Sequence, residues 1–328
     1  MPQIPPPLPD QPVGPLVPGL PDGIADATFQ PVMGTDLRIQ VWGTDDQTAE
    51  QAQGVALAEV QRLSAVFTTW DESSALCQWR RGELEDGDVR FPPELRQVLA
   101  EAAGWFAAGD GAYHPACEVL RERWLRAERE DVVPDRAEMA ELASSIRDLP
   151  WRVDDGRIVR VGDCAGADLN AFVKGWIVDR GLELAADLPG VRRVALNAGG
   201  DLRHHGEGDW GVGIEDPLRP SDNRANRLAT IRVRNRAVAT SGLARRGFRV
   251  AGQWFGHVVD PRTGWPVTHL AQATVLAPDA ATADVLATIC GVPAPDEALD
   301  WLAAASDEYD ALLVTSEGVV LRSAGFPG

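Results

Sequence analysis

The order of the predicted elements constrains the fold of this chain more than any single motif does. Residues 37–42 alternate between apolar and polar side chains, which predicts a strand, and residues 47–67 carry apolar side chains at helical spacing. Further helices are predicted at 93–108, 117–129 and 136–147. Beyond Trp151 the chain changes to short strands separated by glycine turns. Because strands and helices do not alternate regularly, we expect one mixed α+β body rather than a doubly wound sheet.

The second half of the chain is predicted to contain many short strands and a few helices. The predicted strands are 156–161, 193–197, 210–215, 228–233, 238–240, 253–259, 271–277, 311–315 and 319–322. The predicted helices are 169–188, 280–291 and 296–305. The last two strands are expected to close the chain as a hairpin.

The N-terminal segment differs in composition from the rest. Nine of the first 21 residues are proline, which predicts a disordered extension over residues 1–27 and a folded domain over residues 28–328. This segment lacks the basic and apolar regions of a secretory signal, so the expected compartment is the cytoplasm.

Charge and hydropathy narrow the range of partners. The net charge is -18, which makes a general nucleic-acid binder a poor candidate, and no apolar run is long enough to span a membrane. An anionic ligand would therefore need locally assembled positive charge. The chain contains a single lysine, Lys174, among 31 basic residues.

Residues 257–266 carry the densest set of chemical groups. An imidazole (His257), a carboxylate (Asp260), a guanidinium (Arg262) and a hydroxyl (Thr263) lie within seven residues. The preceding strand is predicted to end here because Pro261 has no N–H to donate and restrains the residue before it. An ordinary polar hairpin turn would look the same, so the loop alone does not decide between structure and function.

Asp284 and Thr288 form a second candidate site. They are four residues apart on a predicted helix, so their oxygens project from one face. A carboxylate and a hydroxyl are hard oxygen ligands suited to Mg²⁺. The alternative is an aspartate favoured by the helix dipole and a threonine bonded back to its own helix.

Three further stretches could bind an anion. Asn197, Gly199, Gly200 and Asp201 follow a strand directly, and the two glycines would let a backbone approach a ligand closely, although the spacing of a Rossmann site is absent. Lys174 could neutralise a phosphate or could extend along a helix surface. The turn at Ser241 precedes Arg245, Arg246 and Arg249, which form either an anion site or a solvated charge run.

The remaining histidines rank lower as functional candidates. His204 and His205 are adjacent in a predicted polar loop, and His114 precedes a proline in a glycine loop. His204 and His205 are expected to be exposed, and His114 could line a pocket, although a surface position is favoured.

Seven stretches, in this order, resemble the ApbE family of FAD:protein FMN transferases over residues 28–325. They are 33–35, 111–115, 170–175 with Asp179, 197–201, 239–242, 257–264 and 283–288. The resemblance implies a mixed α/β fold of the T-fold-like kind, FAD as substrate, Mg²⁺ as cofactor and transfer of FMN to a Thr or Ser hydroxyl of a target flavoprotein with release of AMP.

The resemblance also assigns residues. Asp284 and Thr288, with a backbone carbonyl near Ala171, would hold the metal. The FAD site would be lined by Met33, Lys174, Asn197, Gly199, Gly200, Asp201, Ser241 and His257, with Arg262 and Thr263 of the same loop. The chemistry of the residues agrees with this assignment. A threonine hydroxyl is a poor nucleophile and needs a base that titrates near neutral pH, which His257 could supply, and Asp260 is close enough in the loop to orient the imidazole. Lys174 and Mg²⁺ could neutralise the developing charge.

Some positions depart from the family pattern. His114 stands where an aspartate or asparagine is common, Arg80 where an asparagine is frequent, and Ala244 where a tyrosine is expected. Two other functions stay open: an Mg²⁺-dependent FAD pyrophosphatase that releases FMN and AMP, and a non-catalytic FAD-binding protein.

Overall fold

An eight-stranded sheet organises the molecule. The computed structural model describes residues 22–219, 227–242 and 246–327. Its strands are β1 (Ile24–Val32), β2 (Thr35–Gly43), β3 (Trp151–Asp154), β4 (Arg157–Arg160), β5 (Val191–Ala198), β6 (Asp201–Gly206), β7 (Trp210–Glu215), β8 (Arg227–Val233), β9 (Ala237–Gly242), β10 (Gly247–Val250), β11 (Gln253–Gly256), β12 (Val259–Asp260), β13 (Trp265–Pro266), β14 (Leu270–Ala277), β15 (Asp310–Thr315) and β16 (Val320–Arg322). The large sheet has the order β1-β2-β5-β6-β9-β14-β15-β16, and every neighbouring pair is antiparallel.

The helices of the described chain are α1 (Asp46–Phe67), α2 (Ala75–Arg80), α3 (Pro93–Ala108), α4 (Glu118–Glu130), α5 (Arg136–Ser145), α6 (Val173–Ala186), α7 (Ala280–Ile289) and α8 (Pro295–Ala305). None of them is long and apolar enough to cross a membrane. The expected mixed α+β body is confirmed.

Alternation along the strands separates two cores. On β14, Ala273 and Val275 belong to the larger core, which includes apolar residues of α1, α6 and α7. Leu276 belongs to a smaller core that is completed by the β7–β8 hairpin. The period of two therefore covers one face of the sheet with helices and the other with a hairpin.

A third cluster joins α4 and α5 to the β10–β11 hairpin. Trp124 lies at its centre, 4.8 Å from the Phe255 ring and 5.1 Å from the Trp265 ring. The Trp124 Nε1–H donates to the Gly264 carbonyl at 2.9 Å. The loop at residues 257–266 is thus anchored to a helical pair that is distant in sequence.

Most predicted elements are confirmed, but three boundaries are wrong. The folded chain begins at β1, before residue 28, and residues 1–21 of the predicted extension lie outside the described residues. The helix predicted from residue 169 begins only at Val173. The strand predicted over 253–259 is interrupted, because β11 ends at Gly256 and β12 begins at Val259.

The missed strand β1 has a physical explanation. Its sequence contains Asp26, which is 6% exposed and breaks the apolar alternation. Arg38 donates to this carboxylate at 2.9 and 2.6 Å, and Gln40 donates at 2.8 Å. A buried charge satisfied from the neighbouring strand is a tertiary feature that the local pattern does not contain.

Candidate active site

Two tight turns lie side by side at one end of the large sheet. Met33 and Gly34 join β1 to β2 with φ of 52° and 71°, and Gly199 and Gly200 join β5 to β6 with φ of 64° and 109°. Pairing of β2 with β5 brings the turns together, and a Cβ on Gly199 would lie 2.2 Å from Thr35 Oγ1. Glycine is therefore required at position 199 by both conformation and space.

The predicted residues of this turn occupy distinct places. The Asn197 side chain accepts a hydrogen bond from the Gly200 N–H at 3.0 Å, so it holds the turn in shape. Gly199 and Gly200 are exposed, and Asp201 is buried at the start of β6. The turn thus presents backbone to solvent and a carboxylate to the interior.

Helices α6 and α7 meet through their backbones. A Cβ on Gly175 would lie 2.2 Å from the Ala280 carbonyl oxygen, so this glycine permits the close approach. The Asp179 carboxylate accepts from the Ala280 N–H at 2.8 Å and the Ala281 N–H at 2.9 Å. It thereby satisfies two otherwise unpaired donors at the beginning of α7.

Arg203 of β6 completes this junction. Its guanidinium donates to Asp179 at 2.9 Å, and the Asp179 carboxylate is almost completely buried. Burial raises the pKa of Asp179 to about 7, although the Arg203 charge and the two backbone donors act in the opposite direction. The family resemblance includes Asp179 without a role for it, and the structure shows that its carboxylate connects the two helices.

Lys174 lies between two carboxylates. Its Nζ contacts Asp201 Oδ2 directly and is 3.5 Å from Asp284 Oδ2. Its side chain is 22% exposed, so the alternative of a lysine extended along an open surface is wrong. The single lysine of the chain thus joins the turn at Gly199 to helix α7.

Asp284 is buried without a complete set of partners. It is 6% exposed, and among the described residues its Oδ2 has no donor closer than the Lys174 ammonium at 3.5 Å. Burial raises the pKa of Asp284, while the Lys174 charge, the Gly175 N–H and the Arg246 charge oppose that shift. Asp279 is the N-cap of α7 and accepts from the Thr282 N–H at 2.8 Å, so Asp284 does not serve that end of the helix.

Thr288 lies on α7 one turn beyond Asp284 and close to the end of β9. Its Oγ1 is 3.5 Å from Ser241 Oγ. Ala171 is half-buried and immediately precedes the N-cap of α6. Oxygen atoms predicted for a metal site and for the FAD site therefore lie on α7, just before the N-cap of α6 and at the end of β9.

Acidic side chains alone would not complete a metal site at Asp284, so a cation bound there would need further oxygen ligands. The described residues contain no group of three or more His, Cys, Asp or Glu residues placed to hold a metal. The Asp284 Oδ2 atom without a hydrogen-bond partner and the neighbouring Thr288 hydroxyl fit Mg²⁺, which commonly uses one or two carboxylates plus water and phosphate oxygens.

His257 lies between β11 and β12 and is half-buried. Its backbone N–H donates to the Arg246 carbonyl, and its Nδ1 lies 3.3 Å from the same oxygen. Burial lowers the pKa of His257; the bond to the Arg246 carbonyl opposes that shift, and the Arg246 charge adds to it. A neutral imidazole that donates from Nδ1 would leave Nε2 able to accept a proton.

Asp260 has a different partner from the one predicted. Its Oδ1 accepts from the Arg262 N–H and Nε at 2.9 Å each, and its Oδ2 accepts from Nη2 at 3.0 Å. No hydrogen bond between Asp260 and His257 is present among the contacts of the described loop. The reason is the turn that follows Asp260, which brings the Arg262 side chain back to the carboxylate.

Thr263 also acts within the loop. Its Oγ1 accepts from the Trp265 N–H at 3.2 Å, and the Gly264 N–H donates to the Asp260 carbonyl at 2.8 Å. The turn is therefore held by its own polar groups, and the exposed Arg262 side chain is the one that extends from it.

Two histidines expected at the surface are buried. His114 is 5% exposed and accepts from the Ala116 N–H at 3.1 Å, and His204 is fully buried in β6, where it accepts from the Asn235 N–H at 3.2 Å. Burial lowers the pKa of each to about 4. His205 is exposed as expected. A strand periodicity missed at 201–206 accounts for the error at His204.

The arginines after Ser241 divide between described and undescribed residues. Arg245 and Ala244 lie outside the described residues. Arg246 lies close enough to His257 and Asp284 to influence both pKa values. The basic stretch therefore contributes charge to the same region as Lys174.

Comparison with known proteins supports a single family. The model of the ApbE family matches residues 33–313. An FAD:protein FMN transferase of Haemophilus influenzae is 25% identical over 308 residues, covering 89% of this chain and 87% of the relative. A protein of the same name from Klebsiella pneumoniae is 26% identical, covering 86% and 82%.

A solved structure agrees in fold. The ApbE protein of Thermotoga maritima superimposes with a TM-score of 0.78 at 27% identity, covering 92% of this chain and 98% of that chain. The match to the family model extends from the turn at Met33 into β15, so it includes α6, α7 and the strand ends described above. The chain therefore belongs to the ApbE family.

Proposed function

We propose that this chain is an enzyme that transfers FMN from FAD to a Thr or Ser hydroxyl of an acceptor flavoprotein. The acceptor oxygen forms a bond to the FMN phosphorus, the pyrophosphate bond of FAD breaks, and AMP leaves. The observation that carries the proposal is the placement of the Lys174 ammonium between the buried carboxylates of Asp201 and Asp284. Relatives named for this reaction support the substrate assignment.

Charge neutralisation is the main task of this site. Phosphoryl transfer depends on positioning and on stabilising the charge that develops on the phosphate oxygens. In the loaded enzyme, Asp284, Thr288 and the carbonyl of Ala171 would hold Mg²⁺, which supplies Lewis-acid stabilisation of that charge. Lys174 would add a positive charge next to the same oxygens.

The remaining residues would position FAD and the acceptor. The backbone of the Gly199–Gly200 turn would approach the dinucleotide closely, with Met33 and Ser241 beside it, and Arg262 would extend from its own turn toward an anionic group. His257 would accept the proton of the attacking hydroxyl, because burial keeps its imidazole neutral near pH 7. Asp260 would hold Arg262 in place rather than orient His257.

An in-gel flavin fluorescence assay tests the proposal. The protein is incubated with FAD, Mg²⁺ and a candidate acceptor, and the gel is scanned for a fluorescent acceptor band. We expect a band that requires Mg²⁺, that is lost with Asp284→Asn and that is strongly reduced with His257→Ala. His205→Ala is the control, because that histidine is exposed.

The outcomes separate the three functions. FMN and AMP accumulating without a labelled acceptor would replace the transferase with a pyrophosphatase. Bound FAD that yields neither product would leave a flavin-binding protein. A fluorescent band from Asp284→Asn at the wild-type rate would refute the assignment of the metal site.

A further inference from the structure

Tyr113 carries a buried hydroxyl that the proposed mechanism does not use. It lies in the loop between α3 and α4 and is 3% exposed. Its oxygen is buried and has no hydrogen-bond partner among the described residues. A buried hydroxyl normally finds a partner, so this one needs an explanation.

The Tyr113 loop lies between the two parts of the active site. A Cβ placed on Gly109 would be 3.2 Å from Ile289 Cδ1, next to Thr288 on α7. A Cβ placed on Gly111 would be 3.2 Å from Arg262 Cγ in the loop that follows His257. The Tyr113 loop therefore contacts both α7, which carries Asp284, and the loop at residues 257–266.

The surroundings of the phenol keep it protonated. Burial raises the pKa of Tyr113, and the charges of Cys117, Asp168 and Asp284 add to that shift. The hydroxyl is therefore protonated over the whole neutral range and can donate a hydrogen bond. Substrate or hydration oxygens at Asp284 are acceptors of the kind that such a donor requires.

We propose that the Tyr113 hydroxyl is a further ligand-binding group of this site and donates a hydrogen bond to an anionic or metal-polarised oxygen of the bound substrate complex. The acceptor is either a phosphate oxygen of FAD or a water held by its Mg²⁺. This inference rests on the proposed function, because it assigns a partner from the loaded state of that site.

The variant Tyr113→Phe removes only the hydroxyl. We expect FAD affinity, measured by calorimetry with and without Mg²⁺, to fall about tenfold, the size of one hydrogen bond to a charged acceptor. The melting temperature of the ligand-free variant should be equal to or above that of the wild type, since an unpaired buried polar group is removed. Tyr309→Phe is the matched control, because Tyr309 is the only other tyrosine.

The metal dependence identifies the acceptor. Loss of affinity in both conditions would indicate a phosphate oxygen, and loss only with Mg²⁺ would indicate a metal-bound water. Unchanged FAD affinity would overturn the inference, and a lower melting temperature beside it would indicate that the hydroxyl serves the packing of the loop.

Failure of the proposed function gives a different pattern. Wild-type protein that binds FAD and labels an acceptor, next to a Tyr113→Phe variant with the same affinity, refutes the role of the hydroxyl alone. Wild-type protein that neither binds FAD nor labels an acceptor refutes both.

Discussion

The contact between α6 and α7 can be tested with one added methyl group. In Gly175→Ala the new Cβ would lie 2.2 Å from the Ala280 carbonyl oxygen, 2.5 Å from its carbon and 2.7 Å from the Ala281 nitrogen. All three are backbone atoms, so no side chain can rotate away. Restoring ordinary contact at about 3.4 Å requires the helices to separate by about 1 Å.

That displacement should affect stability and catalysis together. Overpacking of this kind costs about 1–3 kcal/mol in the free energy of unfolding. The same movement separates Lys174 on α6 from Asp284 on α7, now 3.5 Å apart. Because a misplacement of about 1 Å at a reacting centre costs about 100-fold in rate, we expect a loss of that order in flavin transfer.

The assay compares transfer rate and urea denaturation for Gly175→Ala and for Gly54→Ala. Gly54 is an exposed glycine of α1, and apart from its chain neighbours and the adjacent backbone of its own helix no atom lies within 4 Å of its Cβ position. Alanine there should stabilise the protein by up to about 1 kcal/mol and leave the rate unchanged. A Gly175→Ala variant with wild-type stability and rate would show that the helices do not depend on this contact.

Three further outcomes are expected. Asp260→Asn should lower the rate of transfer but leave unchanged the pKa of His257 measured from the pH–rate profile, because Asp260 is hydrogen-bonded to Arg262. A pKa shift of about one unit would instead support direct contact between Asp260 and the imidazole. His204→Asn should reduce the fall in melting temperature as pH decreases from 6.5 to 4. The folded-state pKa of His204 is lowered to about 4, so its contribution to stability, up to about 3 kcal/mol, is present above pH 6.5 and lost on acidification. An unchanged pH dependence of the melting temperature would contradict this. Asp179→Asn should cost about 1–3 kcal/mol in unfolding free energy and raise the Mg²⁺ concentration for half-maximal transfer several-fold, and an unchanged Mg²⁺ requirement would separate this residue from the site.

The features of the candidate site that the structure confirms are those of local geometry. Asp284 and Thr288 are four residues apart, and any helix through them places both oxygens on one face. Pro261 and Gly264 require a turn after His257 in almost any fold. The two glycines after Asn197 likewise require a tight turn wherever the strand ends.

The errors concern partners that are distant in sequence. Asp260 was assigned to His257 from proximity along the chain, but the turn presents Arg262 to both carboxylate oxygens. Gly175 and Asp179 look like ordinary helical residues until α7 is placed against them. Tyr113 lies in the stretch 111–115 that resembles the family, but the sequence assigns it no role, because its missing hydrogen-bond partner is a property of the packed loop.

The amino-acid sequence by itself determined most of the elements, most of their boundaries and the chemical groups available at their ends. These follow from hydrophobic periodicity and from the restricted backbone of proline and glycine, which act over a few residues. Only the tertiary structure decided that Lys174 lies between Asp201 and Asp284 and that Asp179 holds α6 against α7. The physical reason is that strand pairing and helix packing join residues more than a hundred positions apart, and their burial decides which charged groups keep a partner.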